Sequence, residues 1–274
     1  MVCETEALNR VFFQFGPIQI YWYGVIIAAG LFLGLYLATK EAERLKLHKD
    51  LIVDLIVFAA PIAIIFARIY YVIFEWDRYA NGPFWKVFAI WEGGIAIHGA
   101  LIGAVLTAIV YARVKKQSFW QLADIIAPSL ILGQAIGRWG NFINQEAHGG
   151  PISANTYENI HQYLPDFIMN QMCIDGVMYH PTFLYESVWN IAVFAALIII
   201  RRYNPIRGHI FLYYLIMYSV GRFFIEGMRT DSLINSGLRQ AQLFSIILII
   251  GSIIIMIYRI KKRKVTVRYD NSKI

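Results

Sequence analysis

The sequence predicts an all-α integral membrane protein with seven transmembrane helices, and two observations carry that prediction. Of its 274 residues, 58% are hydrophobic and only 16% are charged, whereas a soluble domain carries about a quarter charged residues. Three stretches also lack any charge over the roughly 20 residues that a membrane span needs. This composition argues against a water-soluble enzyme, a disordered chain and a nucleic-acid-binding protein. The charge-free stretches lie between Arg10 and Lys40, between Glu92 and Arg113, and between Arg239 and Arg259.

Four further apolar stretches each contain one or two charged residues. Buried helices of a soluble protein would need a polar surface elsewhere, and this chain offers little, so we predict that these stretches also span the membrane. No basic region precedes the first span, so we expect no cleaved signal peptide. The predicted helices cover about 18–39, 54–74, 93–112, 119–138, 182–200, 208–227 and 240–258.

The distribution of Lys and Arg predicts the orientation. Short cytoplasmic loops carry an excess of basic residues. With the N-terminus outside, the inner segments and the C-terminal tail hold 17 of the 25 basic residues, and the segment 140–182 holds none. The sequence therefore predicts an N-terminus outside and a C-terminus inside.

This topology places the polar residues of four helices at one depth, in the outer leaflet: Arg68, His98, Arg138, and Arg222 with Glu226. Each Arg at a helix centre costs about 2.5–3.5 kcal/mol. Any one of them could snorkel or pair internally, which we favour for Arg68, and Arg222 and Glu226 have the i,i+4 spacing of an ion pair. Together they leave an excess of positive charge, and the abundant anion of an outer leaflet is a phospholipid phosphate.

Two segments contain the polar residues that such a site needs. Tyr218, Arg222, Glu226 and Arg229 share one side of a helix, which fits either a binding face or an interfacial belt of Tyr and Arg. The segment 137–151 contains glycines, asparagines and Glu146, and it fits either a polar helix end or a phosphate-binding corner. An arginine is suited to phosphate because its planar fork donates two parallel hydrogen bonds.

Other candidate groups in the sequence are less specific. His98 is by default a hydrogen-bonding residue between helices, although its ordinary pKa also suits proton transfer. Glycines four residues apart predict close helix packing. Cys3 and Cys173 are too few and too far apart for a disulfide framework or a zinc site, and we assign neither a role. The repeated glycines are Gly30/Gly34, Gly99/Gly103 and Gly133/Gly137.

The segment from Gly137 to Gly149 resembles the signature of the bacterial prolipoprotein diacylglyceryl transferases, G-R-x-G-N-F-x-N-x-E-x-x-G, at all eight fixed positions. The resemblance extends along most of the chain. One departure is Ala100, where the family usually has glycine; it adds a methyl group and removes no functional group. Other matching segments are 21–24, 91–94, 98–99, 180–182, 185–186, Arg222/Glu226/Arg229 and Gln242.

The resemblance implies a seven-helix enzyme of the cytoplasmic membrane that works at the outer face. Its reaction moves the diacylglyceryl group of phosphatidylglycerol to the lipobox cysteine thiol of a prolipoprotein and releases glycerol 1-phosphate. It implies no metal, no cofactor and no nucleic-acid partner, and a small extracytoplasmic head at 142–181. We expect a monomer, because lipid and peptide must both enter laterally.

Our hypothesis for the site follows from this reaction. Arg138 and Arg222 bind the phosphate, and His98 is the candidate base for the thiol. Asn141, Tyr23 and Arg229 orient the glycerol head, Glu146 and Glu226 hold the arginines, and Gly149 and Tyr218 complete the substrate-binding residues.

Two other classes of function remain open at this point. A transporter of lipids or organic anions also places cations inside a helix bundle, but such proteins commonly contain inverted repeats, and this sequence shows no internal repeat. A scaffold for membrane assembly does not explain several buried arginines.

Overall fold

The structure is a computed structural model, and it describes residues 3, 7–80, 82–159, 161–229, 234–235, 238–262 and 264–270. Two basic residues of the predicted cytoplasmic tail, Arg263 and Lys273, lie outside this range. The α-helices are α1 (Trp22–Arg44), α2 (Leu51–Phe74), α3 (Asp77–Ala80), α4 (Ile97–Val114), α5 (Phe119–Asn144), α6 (Ala154–Asn159), α7 (Asp166–Gln171), α8 (Thr182–Arg202), α9 (His209–Glu226) and α10 (Gln240–Lys261). Short 3₁₀ turns occupy Phe84–Phe88, Ile90–Glu92 and His161–Tyr163.

The prediction of a helical membrane protein is confirmed. Among the described residues, six helices are long and apolar enough to cross a membrane: α1, α2, α4, α5, α8 and α10. The helix α9 has 18 residues, but it is not one of the six. A seventh span, and the orientation, stay predictions.

The helix ends differ from those expected, most clearly at the N-terminus. The apolar stretch after Arg10 begins with an antiparallel hairpin, β1 (Val11–Phe15) and β2 (Ile18–Tyr21), so that α1 starts at Trp22. Gly16, with φ of 57°, occupies the turn. Freedom from charge indicates an apolar segment but does not separate a strand from a helix, whereas β-branched and aromatic residues favour strands.

The predicted close packing of glycines is confirmed. A Cβ added to Gly30 would lie 3.5 Å from the carbonyl oxygen of Gly133, and one added to Gly34 would lie 3.3 Å from that of Ser129. At Gly99 the nearest atom would be the carbonyl oxygen of Phe66, at 2.3 Å. These helices approach so closely that a methyl group does not fit at Gly99.

The chain divides into two compact units, one from residues 38–125 and one from the rest. In the second unit, the segment that follows α5 contains α6, α7 and a short hairpin, β3 (Cys173–Ile174) and β4 (Val177–Met178). Its core is apolar and continues into the ends of α5 and α8. The buried residues of this core include Phe142, Ile152, Ile168, Met172 and Phe183.

A disulfide joins Cys3 to Cys173, which corrects our interpretation that the two cysteines are too few and too far apart for disulfide bonding and have no role. They are 170 residues apart in sequence, but Cys3 and Leu8 both contact the region around α7. The backbone N–H of Cys3 donates to Gly176, and that of Leu8 donates to Oε1 of Gln171. Separation along the chain does not report this proximity in space.

Candidate active site

Glu186 on α8 lies at the centre of a network of arginines. Its carboxylate is 2.6 Å from Nη2 of Arg138 on α5 and 2.9 Å from Nη1 of Arg222 on α9. Nη1 of Arg229, just beyond the end of α9, lies 3.9 Å away. The side chain of Glu186 is only 4% exposed. One buried carboxylate therefore holds the guanidinium groups of two helices side by side.

Glu226 supplies a second carboxylate to this network. Its Oε2 is 2.7 Å from Nη2 of Arg222, which confirms the predicted i,i+4 pair, and 4.0 Å from Nε of Arg229. Nη1 of Arg239 donates to the backbone carbonyl of Glu226. Among the described residues, the three guanidinium groups exceed the two carboxylates by one charge before Arg239 is counted. The network is therefore a partly buried cationic site.

Among the described residues, Arg138 and Arg222 leave some of their N–H donors unused. A guanidinium has five N–H groups. Besides its contact with Glu186, Arg138 donates to Oδ1 of Asn141 at 3.4 Å, and Arg222 contacts the two carboxylates. Asn141 thus lies against Arg138.

The ends of α5 and α8 are joined by side chains beside the network. Nε1 of Trp139 donates to Oγ of Ser187, which in turn donates to the carbonyl of Ala135. Since Ser187 follows Glu186 and Trp139 follows Arg138, these bonds fix the helix positions that carry the ion pair. The indole and the hydroxyl are both paired, as buried polar groups normally are, and this pairing holds the two helices in register.

Two glycines of the sequence signature allow close approach to this site. A Cβ on Gly140 would lie 2.7 Å from the ring of Tyr23, so the tyrosine packs directly on α5 at Gly140. Gly149 forms a β-bridge with Arg229, and a Cβ there would meet Cβ of His180 at 2.7 Å. Gly149 therefore lies next to Arg229 of the network, and Tyr23 lies against the helix that carries Arg138.

Glu146 does not hold the arginines, contrary to our hypothesis. It is exposed, and within the described residues its side chain makes no ion pair; it accepts a hydrogen bond from Asn144 at 3.2 Å. Its neighbours Gln145 and Ala147 have φ of 55° and 56°, and this turn directs the chain away from the helix axis after Asn144. Glu186 takes the role that we had given to Glu146.

Tyr218 lies one turn before Arg222 on α9. Its ring stacks on that of Tyr214, with centroids 6.0 Å apart. Nε2 of Gln134 on α5 donates to the hydroxyl of Tyr214 at 3.1 Å. Polar side chains therefore continue from the arginine network along α5, at Gln134, and along α9, at Tyr214 and Tyr218.

His98 and Arg68 belong to the compact unit of residues 38–125. The ring of His98 lies 5.9 Å from that of Tyr70. Arg68 is buried and donates to the carbonyls of Val87, Gly93, Gly94 and Lys86. Arg68 therefore pairs internally, which is one of the two alternatives that we favoured for it, because the turns before α4 supply acceptors for its guanidinium.

The sequence interpretation missed Glu186, Gln134 and His180 as site residues. Glu186 was visible as a charge inside an apolar stretch, but spacing within one helix cannot show that it faces arginines on two others. His180 lies beside Gly149, with Nδ1 3.3 Å from the hydroxyl of Tyr185. Among the described residues, no group of three His, Cys, Asp or Glu side chains is arranged to hold a metal ion.

Comparison with known proteins assigns the chain to a family. Residues 10–258 match the profile of the prolipoprotein diacylglyceryl transferases. The chain belongs to this family. It is 69% identical over 270 residues to the phosphatidylglycerol–prolipoprotein diacylglyceryl transferase of Oceanobacillus iheyensis, covering 98% of this chain and 93% of that protein. The enzyme of that name in Geobacillus kaustophilus is 58% identical over 99% of this chain and all of that protein.

A third relative, from Bacillus velezensis, is 57% identical over 97% of both chains and has the same name. The coverage is nearly complete in each case, so the resemblance applies to the whole fold. The chain is a transferase, and the arginine network lies on three of its helices or directly beyond their ends.

Proposed function

We propose that this protein transfers the diacylglyceryl group of phosphatidylglycerol to the lipobox cysteine of prolipoproteins, the first step of lipoprotein maturation. The names of its relatives support both substrates. The structural observation that carries the proposal is the cationic excess of the network around Glu186. A phosphodiester carries one negative charge, and the three guanidinium groups and two carboxylates that meet among the described residues leave one positive charge to receive it.

The reaction requires stabilisation of a departing phosphate more than activation of the thiol. A thiol with a pKa of about 8.5 is a few per cent ionised at pH 7, so its deprotonation costs only about 2 kcal/mol. Expulsion of a phosphate from an unactivated carbon is the larger barrier, and stabilisation of developing charge is usually the dominant contribution to catalysis. We therefore assign the main catalytic role to Arg138 and Arg222.

The bonds exchanged are simple. The sulfur of the cysteine forms a bond to the terminal glycerol carbon of the diacylglyceryl group, and the bond from that carbon to the phosphate oxygen breaks. The products are a thioether and glycerol 1-phosphate, and the thiol proton passes to a base, for which His98 is our candidate. Asn141, Tyr23, Tyr218 and Arg229 orient the head group beside the two arginines.

The proposed placement is a seven-span protein of the bacterial cytoplasmic membrane, acting as a monomer with its site at the outer face. The basic residues of the predicted inner segments support this orientation. The disulfide between Cys3 and Cys173 also supports it, because such bonds persist in oxidising, extracytoplasmic environments. In this arrangement residues 142–181 form the extracytoplasmic head, and α9 is the additional span.

Transfer of radiolabelled diacylglyceryl to a lipobox peptide tests the assignment. Arg138→Lys and Arg222→Lys are each expected to lower transfer and glycerol phosphate release by about 100-fold or more, because an ammonium cannot replace the planar fork. The control is Arg78→Lys, an exposed arginine paired with Glu75, which should transfer normally. Normal rates in the first two variants would overturn the proposal, as would a wild-type protein that releases no glycerol phosphate.

His98→Gln separates the base from the phosphate-binding residues. Because the thiol ionises on its own as the pH rises, we expect this variant to retain measurable activity that increases with pH. A His98→Gln variant that is inactive at every pH, together with a nearly normal Arg138→Lys, would invert the two assignments.

A further inference from the structure

Gln134 and Tyr214 form a polar pair that extends from the arginine network into the apolar part of the helix bundle. Gln134 precedes Arg138 by four residues on α5, and Tyr214 precedes Arg222 by eight on α9, so each shares a helix face with its arginine. The hydrogen bond of 3.1 Å between them joins the two helices. Tyr214 is buried, at 6% exposure.

This pair has more hydrogen-bond donors than it uses. The amide has two N–H groups and the tyrosine has one O–H, and among the described residues the pair makes only its mutual bond. Oε1 of Gln134 is buried there without a hydrogen-bond partner. If the amide is rotated by half a turn, the hydroxyl of Tyr214 donates to Oε1, and both N–H groups of Gln134 are left without an acceptor among the described residues. Buried polar groups are normally paired, so the pair is suited to a ligand that accepts hydrogen bonds.

The position of the pair identifies the acceptor. One helical turn rises about 5.4 Å, which places Gln134 one turn deeper than the guanidinium groups. In a phospholipid whose phosphate lies at the network, the carbons that bear the acyl esters are the next two of the same glycerol. Their carbonyl oxygens are uncharged acceptors and are the polar atoms of a lipid nearest to its hydrocarbon chains.

We propose that Gln134 and Tyr214 form an acyl-ester subsite, which donates a hydrogen bond to an ester carbonyl of the bound phosphatidylglycerol. This inference rests on the proposed function, since it takes the phosphate to lie at Arg138 and Arg222. The ester groups stay intact during the transfer, so the subsite contributes recognition of a diacyl lipid and takes no part in bond exchange.

Phosphatidylglycerol with ether-linked chains removes the carbonyls and keeps the phosphate, the reacting carbon and the chain lengths. We expect the wild-type protein to use the diester lipid with a kcat/KM about three- to tenfold higher than the diether lipid, the range of one hydrogen bond. In the double variant Gln134→Leu, Tyr214→Phe, the ratio of the two kcat/KM values should fall to about one. The kcat/KM for the diester lipid should decrease, and that for the diether lipid should stay the same.

The control Tyr213→Phe removes a hydroxyl from the neighbouring position of α9, where the ring contacts His209 instead, and it should keep the wild-type ratio. If the double variant does not fold, the ratio of diester to diether rates is measured in the single variant Tyr214→Phe. This variant keeps the aromatic ring that stacks on Tyr218. A ratio that is unchanged in the folded variant, or an equal loss of rate on both lipids, would overturn the subsite.

Failure of the proposed function is distinguishable from failure of the subsite. If the wild-type protein transfers nothing from either lipid, the proposed function fails. Competition between the diester and diether lipids for the detergent-solubilised protein, measured by native mass spectrometry, then tests the subsite without catalysis. Preferential binding of the diester lipid by the wild type, lost in the double variant, supports the subsite. Equal binding of both lipids by the wild type contradicts the subsite.

Discussion

At the scale of single residues, Glu186 determines both the alignment and the net charge of the arginine network. It lies within 2.9 Å of guanidinium nitrogens on two helices and is almost inaccessible to solvent. Removing one partner of a buried ion pair is costly, because the remaining charges stay desolvated. Glu186 therefore both aligns the arginines and limits how strongly they hold an anion.

We predict opposite effects of Glu186→Gln on rate and on product binding. The amide keeps the shape of the side chain but raises the charge of the network by one. Transfer should slow by about tenfold or more as the alignment of Arg138 and Arg222 is lost, because a small misplacement of catalytic groups costs up to about 100-fold. The inhibition constant of glycerol phosphate should fall.

Steady-state kinetics with added glycerol phosphate measures both quantities. The matched control is Glu146→Gln, which changes the charge of an exposed carboxylate and should leave the inhibition constant unchanged. An inhibition constant that rises in Glu186→Gln would show that Glu186 does not restrain the cationic network.

The residues of the site differ in how far the sequence could predict them. Arg222 and Glu226 lie on one helix, so their spacing alone predicted the pair. The partners of Glu186 lie on other helices, and their meeting depends on how α5, α8 and α9 pack, which periodicity does not report. Glu146 was misassigned because α5 ends at Asn144, so that the direction of a side chain in the following turn does not follow helical spacing.

At the scale of elements, Arg68 organises the segment between α2 and α4. Its guanidinium donates to four backbone carbonyls of residues 86–94 at 2.6–2.8 Å. Gly93 and Gly94 have φ of 83° and 75°, and this conformation turns their carbonyls toward Arg68. One buried side chain therefore holds together a segment whose own secondary structure is limited to two short 3₁₀ turns.

We predict that Arg68→Lys loosens this segment. An ammonium has three donors in a compact group and cannot reach all four carbonyls. Because hydrogen bonds to charged groups contribute about 1.5–3 kcal/mol each, amide exchange in residues 84–94 should accelerate by about tenfold or more. Hydrogen exchange with mass spectrometry measures this; Arg78→Lys is the control, and equal protection in both variants would refute the role of Arg68.

The packing of α2 against α4 gives a second prediction at this scale. Gly99→Ala places a methyl group 2.3 Å from the carbonyl oxygen of Phe66, so the helices must separate. Overpacking of this kind costs about 1–3 kcal/mol, and the thermal unfolding midpoint in detergent should fall. Gly251→Ala, on α10, meets no atom within 4 Å and should unfold at the wild-type temperature. Equal midpoints for both variants would contradict the close contact.

Helix existence was easier to predict than helix boundaries. The apolar stretches predicted the long helices because burial in lipid demands length and freedom from charge. They did not predict the hairpin at residues 11–21, since strand and helix both satisfy that demand when the segment is short.

At the scale of the whole molecule, the disulfide connects the N-terminal segment to the region after α5. The bond from Cys3 to Cys173 is joined by the hydrogen bonds of Cys3 to Gly176 and of Leu8 to Gln171. Gln171 also donates to two backbone carbonyls, at residues 142–143, near the end of α5. The N-terminus thus stabilises the segment that follows the arginine-bearing helix.

We predict that loss of this bond lowers stability. Removal of a native disulfide typically costs about 2–5 kcal/mol, so Cys3→Ser should unfold at a lower temperature than the oxidised wild type. Reduced wild-type protein is the control for the substitution itself. It is expected to unfold at the same temperature as Cys3→Ser. Non-reducing electrophoresis of protein taken from membranes should show the bond; a reduced Cys3 and Cys173 there would contradict the proposed orientation.

The central claim is that Arg138 and Arg222 bind the phosphate of phosphatidylglycerol, and a distance measurement tests it most directly. Protein with ¹³C at the arginine Cζ atoms, bound to phosphatidylglycerol in a phosphorus-free detergent, should show ¹³C–³¹P dipolar coupling for guanidinium groups within about 4 Å of the phosphorus, the range of charge-assisted hydrogen bonds. This coupling should disappear in the double variant Arg138→Lys, Arg222→Lys. Coupling that persists unchanged in the double variant would place the phosphate elsewhere and contradict the account.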